Sequence, residues 1–223
     1  MAVCSTQTWV SVPSRINCLR CNCATLQVRT GLVTDDNLDD VFQQMAEASA
    51  IVLDIRTGFS NIAWNLVGHL SGSPVSAAPM YHHYVNWPEP SGRYTQFIEQ
   101  IIEPEQTVLS QPKVVLSSRD NISHQEHALA YMQNAGIPII GEPTAGVNGQ
   151  ITVAGSIFGN YFQGVGARLD FTGMEVKQND GAVHLGVGIL PDQYSPLTLA
   201  GIRAGEDTQL QHAIEQLQAA LQP

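Results

Sequence analysis

Along the chain the apolar positions change period, and each change marks an element. The run KVVLSS from Lys113 is short, apolar and β-branched, which predicts a strand; Arg119-Asp120-Asn121 then reads as a turn. From Ser123 the period becomes helical, with Ala128, Leu129, Met132 and Ala135 recurring until Gly136. Ile137–Ile140 predicts a further strand, followed by a glycine-rich turn to Gln150.

The pattern before this unit has the same grammar. ATLQVRT from Ala24 predicts a strand, and Asp36 or Asn37 caps a helix with Leu38, Val41, Phe42 and Met45 at helical spacing. The continuous apolar run from Ala50 to Ile55, ending at Arg56, has the signature of a strand buried on both faces. A turn over Thr57–Asn61 leads into a predicted helix IAWNLVGHL. Six prolines interrupt Ser71–Pro112, which predicts a long surface excursion whose Tyr81, His82, His83, Tyr84 and Trp87 either line a groove or pin the loop.

After Gln150 the pattern turns to β, in ITVAGSIF, ARLDFTG, MEVKQ and VHLGVGI, with Asn179-Asp180-Gly181 as a hairpin turn. A helix from about Asp207 carries Leu210, Ile214, Leu217 and Leu221 on one face. Met1–Cys23 lacks periodicity and predicts an irregular lead-in, so 24–223 is expected to be one domain. With 223 residues and 43% apolar content, the chain is long enough for one sizeable core.

Charge narrows the choice of partner. A formal net charge of −10 with scattered Lys and Arg argues against nucleic acid or an anionic membrane. No run approaches the ~20 apolar residues of a spanning helix. The first 30 residues show no basic region followed by an apolar core, so they do not read as an intact secretory signal, and the compartment stays open. Cys4, Cys18, Cys21 and Cys23 have no second ligand pair downstream, so neither a metal site nor a cofactor is expected.

Ser123 is where chemistry enters. A serine raised by a strand onto a helix start lies beside unpaired N–H groups and a dipole that favour an oxyanion. The same Ser123-His124-Gln125-Glu126 is also a capping box, so local pattern alone leaves a cap and a nucleophile both open.

Four segments in register, AIVLDIR from Ala50, NISHQEH from Asn121, GEPTAGVNGQ from Gly141 and GVGILPD from Gly186, resemble the catalytic core of the C-terminal processing and tricorn-core serine peptidases. The retinoid-binding repeats of the interphotoreceptor protein are in the same family. The resemblance runs from about Ala24 to the end, with no amino-terminal PDZ module. It implies an α/β fold with a ClpP/crotonase-like core of repeated ββα units, a β-rich C-terminal part and a C-terminal helix. It implies Ser123 as nucleophile, with the N–H groups of His124 and approximately Ser60 as oxyanion hole. A peptide or protein is the implied substrate, and a homo-oligomer is left open because relatives assemble into larger particles.

The departures decide what activates the serine. Where the processing peptidases place a lysine in T-x-G-K-G, this chain has Val147, which removes a Ser/Lys dyad. Relatives with a histidine base keep a glutamate before the last motif, and that position here is Leu185, or His184 if the register slips by one. His184 is therefore the expected base, against the plainer reading of a half-buried strand histidine. Glu142 either orients a histidine or bonds its own turn. Two functions follow: a serine hydrolase of peptides acting through an acyl-enzyme, or an impaired relative that binds peptide or an apolar ligand, or cleaves only esters.

Overall fold

The computed structural model describes residues 14–17, 24–85, 89–153 and 170–222 of the chain. Strands and helices are numbered in chain order. A six-stranded sheet runs β1 (Ser14–Asn17), β2 (Ala24–Arg29), β3 (Ala50–Asp54), β8 (Lys113–Ser117), β9 (Ile139–Gly141), β13 (Gln193–Tyr194). All neighbours are parallel except β1, which pairs antiparallel with β2. The described residues form five α-helices: α1 (Leu38–Glu47), α2 (Trp64–Val67), α3 (His124–Asn134), α4 (Leu199–Ala204) and α5 (Thr208–Ala220). The protein is mixed α/β with a parallel central sheet.

The period-2 rule divides the core. Ile51 and Leu53 of β3, with Val115 of β8, face Val41 and Met45 of α1 and Leu129 and Met132 of α3. Ala50 and Val52, with Val114 and Leu116, face Leu210, Ala213 and Leu217 of α5. Every residue of β3 is buried, as the unbroken apolar run predicts. Asp207 caps α5, its carboxylate accepting the Leu210 N–H at 3.0 Å.

That cap also ties α5 to the sheet. Arg56 donates through Nε and Nη2 to Asp54 (2.8 and 2.7 Å) and through Nη1 and Nη2 to Asp207 (2.8 and 2.7 Å). Burial works against the Arg56 charge, yet the bonds and charges of the two aspartates outweigh it and hold the guanidinium well above its ordinary value.

The structure corrects several expectations. Part of the irregular lead-in, Ser14–Asn17, is a strand on β2, four residues being too few to show a period. The remainder of Met1–Cys23, with all four cysteines, lies outside the described residues, as do Trp87 and the whole segment between β10 (Ile151–Val153) and β11 (Asp170–Thr172), on which parts of the expected strands ITVAGSIF and ARLDFTG fall. The predicted helix IAWNLVGHL reduces to the four residues of α2.

The proline-rich excursion is a hairpin rather than a loop. β5 (Met80–Val85) pairs with β6 (Arg93–Ile98), and β12 (Met174–Val176) joins β5. Flanking it, β4 (Val75–Ser76) pairs with β7 (Ile101–Ile102). Its prolines stand between strands rather than inside them, where a missing N–H breaks no ladder. VHLGVGI is not a strand either. Beyond one bridge, Lys177 to Val183, it turns through Gly186 and Gly188, both at φ 74°.

Candidate active site

The C-terminal ends of β3, β8 and β9 point the same way, and the segments leaving them converge there. Asn121, fully buried between β8 and α3, is the pin. Its Nδ2 donates to the Ile55 carbonyl at 2.9 Å, and its Oδ1 accepts the Ser118 N–H at 2.8 Å. Its own carbonyl accepts the Ala145 N–H at 3.0 Å, and two residues on, the Ser123 N–H donates to the Val147 carbonyl at 2.6 Å. The serine turn and the turn after β9 thus run side by side.

Ser123 stands at φ 52°, ψ −111°, and among the described residues no other non-glycine has positive φ. Such backbone costs of order 1–3 kcal/mol and persists only where its surroundings enforce it. Here the enforcement comes from Glu126, one turn into α3 and fully buried. Its Oε2 accepts the N–H of Ser123 at 3.1 Å and of Val147 at 2.9 Å. Its Oε1 accepts the Thr144 hydroxyl at 2.5 Å and the Gly146 N–H at 2.7 Å. The capping box is in place: its glutamate half is a hydrogen bond to the Ser123 N–H, and the Ser123 hydroxyl faces the Glu126 N–H without the geometry of a full hydrogen bond.

His184 meets this carboxylate from the other side. It is 1% exposed, and its Nε2 lies 3.4 Å from Glu126 Oε2, in ion-pair range but without hydrogen-bond alignment for either ring nitrogen. Burial disfavours ionised Glu126, but the His184 ring beside it and the hydrogen bonds from Thr144 and Gly146 prevail and hold the carboxyl below its ordinary range.

Glycine permits the approach. A Cβ on Gly146 (φ 72°) would come within 2.7 Å of the Val187 nitrogen, and one on Gly188 within 2.5 Å of the Thr144 carbonyl oxygen. GEPTAG and GVGIL therefore interlock, and that contact seats His184 beside Glu126.

The other predicted residues divide. The His124 N–H, at the first position of α3, has no acceptor among the described residues, as an oxyanion donor requires. Its ring accepts from Trp64 Nε1–H and packs edge-on to Phe59. Burial lowers the affinity of that ring for a proton, with the Phe59 carbonyl opposing. Ser60 is different. Its N–H already donates to the Thr30 carbonyl at 3.2 Å and its hydroxyl to the Val33 carbonyl at 2.6 Å, so its donors are engaged in the turn. Phe59, one residue earlier, has an N–H with no acceptor among the described residues. Glu142 is bound by Arg119, with its backbone tied to Ser117, and orients no histidine.

Two further histidines serve packing. His69 stacks on Phe42 at 4.4 Å, and its Nδ1 lies 2.7 Å from the Thr107 carbonyl. His127 pairs with Gln100 Oε1 at 2.7 Å, and burial together with the charge of His124 brings its pKa to about 4. Sequence reasoning missed Asn121 and Thr144, and saw Glu126 only as a cap. A buried asparagine has no period, and a carboxylate serving two turns is visible only once both are placed. Among the described residues no group of three or more His, Cys, Asp or Glu is arranged to hold a metal, and no helix is long and apolar enough to cross a membrane.

Comparison with solved structures places the fold among known ones. The chain aligns over 87% of its length with 60% of a Parabacteroides merdae protein assigned to the peptidases (TM-score 0.65, 19% identity). It aligns over 99% of its length with 57% of mature CPAF complexed with lactacystin (TM-score 0.68, 13% identity). A Bacteroides fragilis protein assigned to the S41 proteases matches over 97% of this chain and 60% of its own (TM-score 0.60, 14% identity). The structural neighbours are S41 peptidases, and the fold is the one they share. The chain spans about 60% of their length. No protein-family model matches the sequence, and no curated protein matches it either.

Proposed function

We propose that the protein is a serine-type hydrolase of peptides that forms an acyl-enzyme on Ser123. The observation that carries this reading is the strained backbone of Ser123 at the start of α3, held by Glu126 through its N–H while its hydroxyl makes no full hydrogen bond to the helix. A strained serine between strand and helix is the arrangement that exposes a nucleophile in other hydrolases. His184 is the proposed base, buried and without a hydrogen-bonded partner on either ring nitrogen. His124 N–H is one proposed oxyanion donor. For the second, Phe59 N–H replaces Ser60, whose N–H is already bonded. In the acylation step the Ser123 oxygen attacks the scissile carbonyl, its proton passes to His184, and the amine leaves with that proton; water then cleaves the ester by the same base. In architecture, the parallel sheet with helices on both faces supports the ClpP/crotonase-like arrangement of ββα units.

One observation favours the impaired relative. Val147 occupies the lysine position, and its side chain is 52% exposed. Hydrolysis of a chromogenic ester and of a peptide library separates the two. The hydrolase reading predicts turnover that Ser123→Ala abolishes and His184→Gln lowers by about 100-fold or more, with far-UV spectra unchanged. Turnover unaffected by Ser123→Ala sinks it; turnover of esters alone supports the impaired relative.

A further inference from the structure

An open groove of about 370 Å³ lies between α1, α2 and β7. Leu38, Phe42, Trp64 and Ile102 give it an apolar, partly aromatic lining, and each of these side chains is only half-buried, so each keeps a face toward the opening. Asp39 and Glu105 also line it, both exposed, and no lysine or arginine does. Glu105 is fixed by its backbone: its N–H donates to the Gly68 carbonyl at 2.9 Å, and its side chain crosses Gly68, where an added Cβ would meet it at 3.0 Å.

The groove adjoins the serine. Trp64 lines it, and the same indole N–H donates to His124, the residue after Ser123. The two rings lie 5.3 Å apart. Through Trp64 and His124 the groove is linked to the start of α3, where Ser123 stands.

Apolar walls with carboxylates and no opposing cation complement a long aliphatic stem that ends in positive charge. An aromatic face adds attraction for that charge, and the stem covers apolar surface while the head stays near water. A purely apolar side chain leaves both carboxylates unused, and an acidic one is repelled by them. We propose that the groove is a substrate subsite for a lysine or arginine side chain next to the scissile bond. This rests on the hydrolase reading and adds a substrate class to it.

The test uses fluorescein-labelled heptapeptides that differ only by Lys, Arg, norleucine or Glu, placed in turn at each position flanking the scissile bond. Binding is read by anisotropy on Ser123→Ala protein and cleavage by kcat/KM on the wild type. At one position the Lys and Arg peptides should bind about tenfold more tightly than norleucine, with Glu weakest. Asp39→Asn with Glu105→Gln, both at exposed positions, should close the gap between Lys and norleucine. Equal binding of Lys and norleucine at every position overturns the proposal, as does a preference that survives the double variant. A cationic preference in binding without any cleavage keeps the subsite and removes the hydrolase reading. Cleavage without the preference does the reverse.

Discussion

Glu126 Oε2 accepts the Ser123 N–H at 3.1 Å and lies 3.4 Å from His184 Nε2, so one oxygen stands between the candidate nucleophile's backbone and the candidate base. A carboxylate with this many donors is worth more broken than made. Removing it strands the amides of Gly146 and Val147 and the Thr144 hydroxyl, while the Ser123 N–H keeps the Val147 carbonyl. Each such group costs about 1–3 kcal/mol when left unpaired.

Glu126→Ala should accordingly lower unfolding stability by roughly 3–5 kcal/mol, read from the urea midpoint. Glu126→Gln should fall between, because its carboxamide offers one acceptor oxygen and turns an NH2 toward donors. A Glu126→Ala midpoint within ~1 kcal/mol of wild type would show that Ser123 is held by something else.

The pH dependence has two limbs. His127 has a folded pKa of about 4 against 6.5 for the free side chain, so over that window the unfolded chain takes up a proton that the folded chain refuses. Stability should fall as pH drops from about 6.5 toward 4, by less than the ~1.4 kcal/mol per unit of a fully shielded group. Glu126 acts below this. Its folded pKa is depressed, so its contribution is complete above the unfolded carboxyl pKa near 4.5 and is lost as pH falls through the folded value. Urea unfolding across pH 7.5 to 3.5 should show His127→Gln making the upper limb shallower, with the part owed to His124 kept, and leaving the lower. Identical upper limbs in variant and wild type would contradict the assignment.

Asn121 predicts a coupled loss. Asn121→Ala removes the bonds to Ile55 and Ser118 from a fully buried site and should cost about 2–4 kcal/mol. It should also impair hydrolysis at temperatures where the variant stays folded, because the same residue aligns the serine turn with the turn after β9. Full kcat/KM in a folded Asn121→Ala protein would refute the alignment role.

What the sequence made legible was the periodic part. Ala50–Asp54, Lys113–Ser117 and α3 lie where alternation, apolar runs and Gly136 put them, since burial on both faces of a parallel sheet leaves an unbroken apolar trace. The hairpin β5–β6 was hidden by its composition, because β6 is exposed almost throughout and carries no buried alternation. Ser123 and His184 were named from motif order, and in the structure both lie against Glu126. The internal wiring of the site was not legible, since Glu126, Thr144 and Asn121 act through backbone N–H and C=O groups that any sequence contains. Ser60 was named from a turn, where one φ/ψ step decides which N–H is free, and its N–H donates to Thr30.

The central claim is that Ser123 is a nucleophile and not only a helix start. Treating the folded protein with a fluorophosphonate and mapping the adduct by mass spectrometry tests it directly. The account predicts phosphonylation at Ser123, absent in urea-unfolded protein and slowed in His184→Gln. Folded protein that carries no adduct at Ser123, or carries one only at another serine, would contradict it.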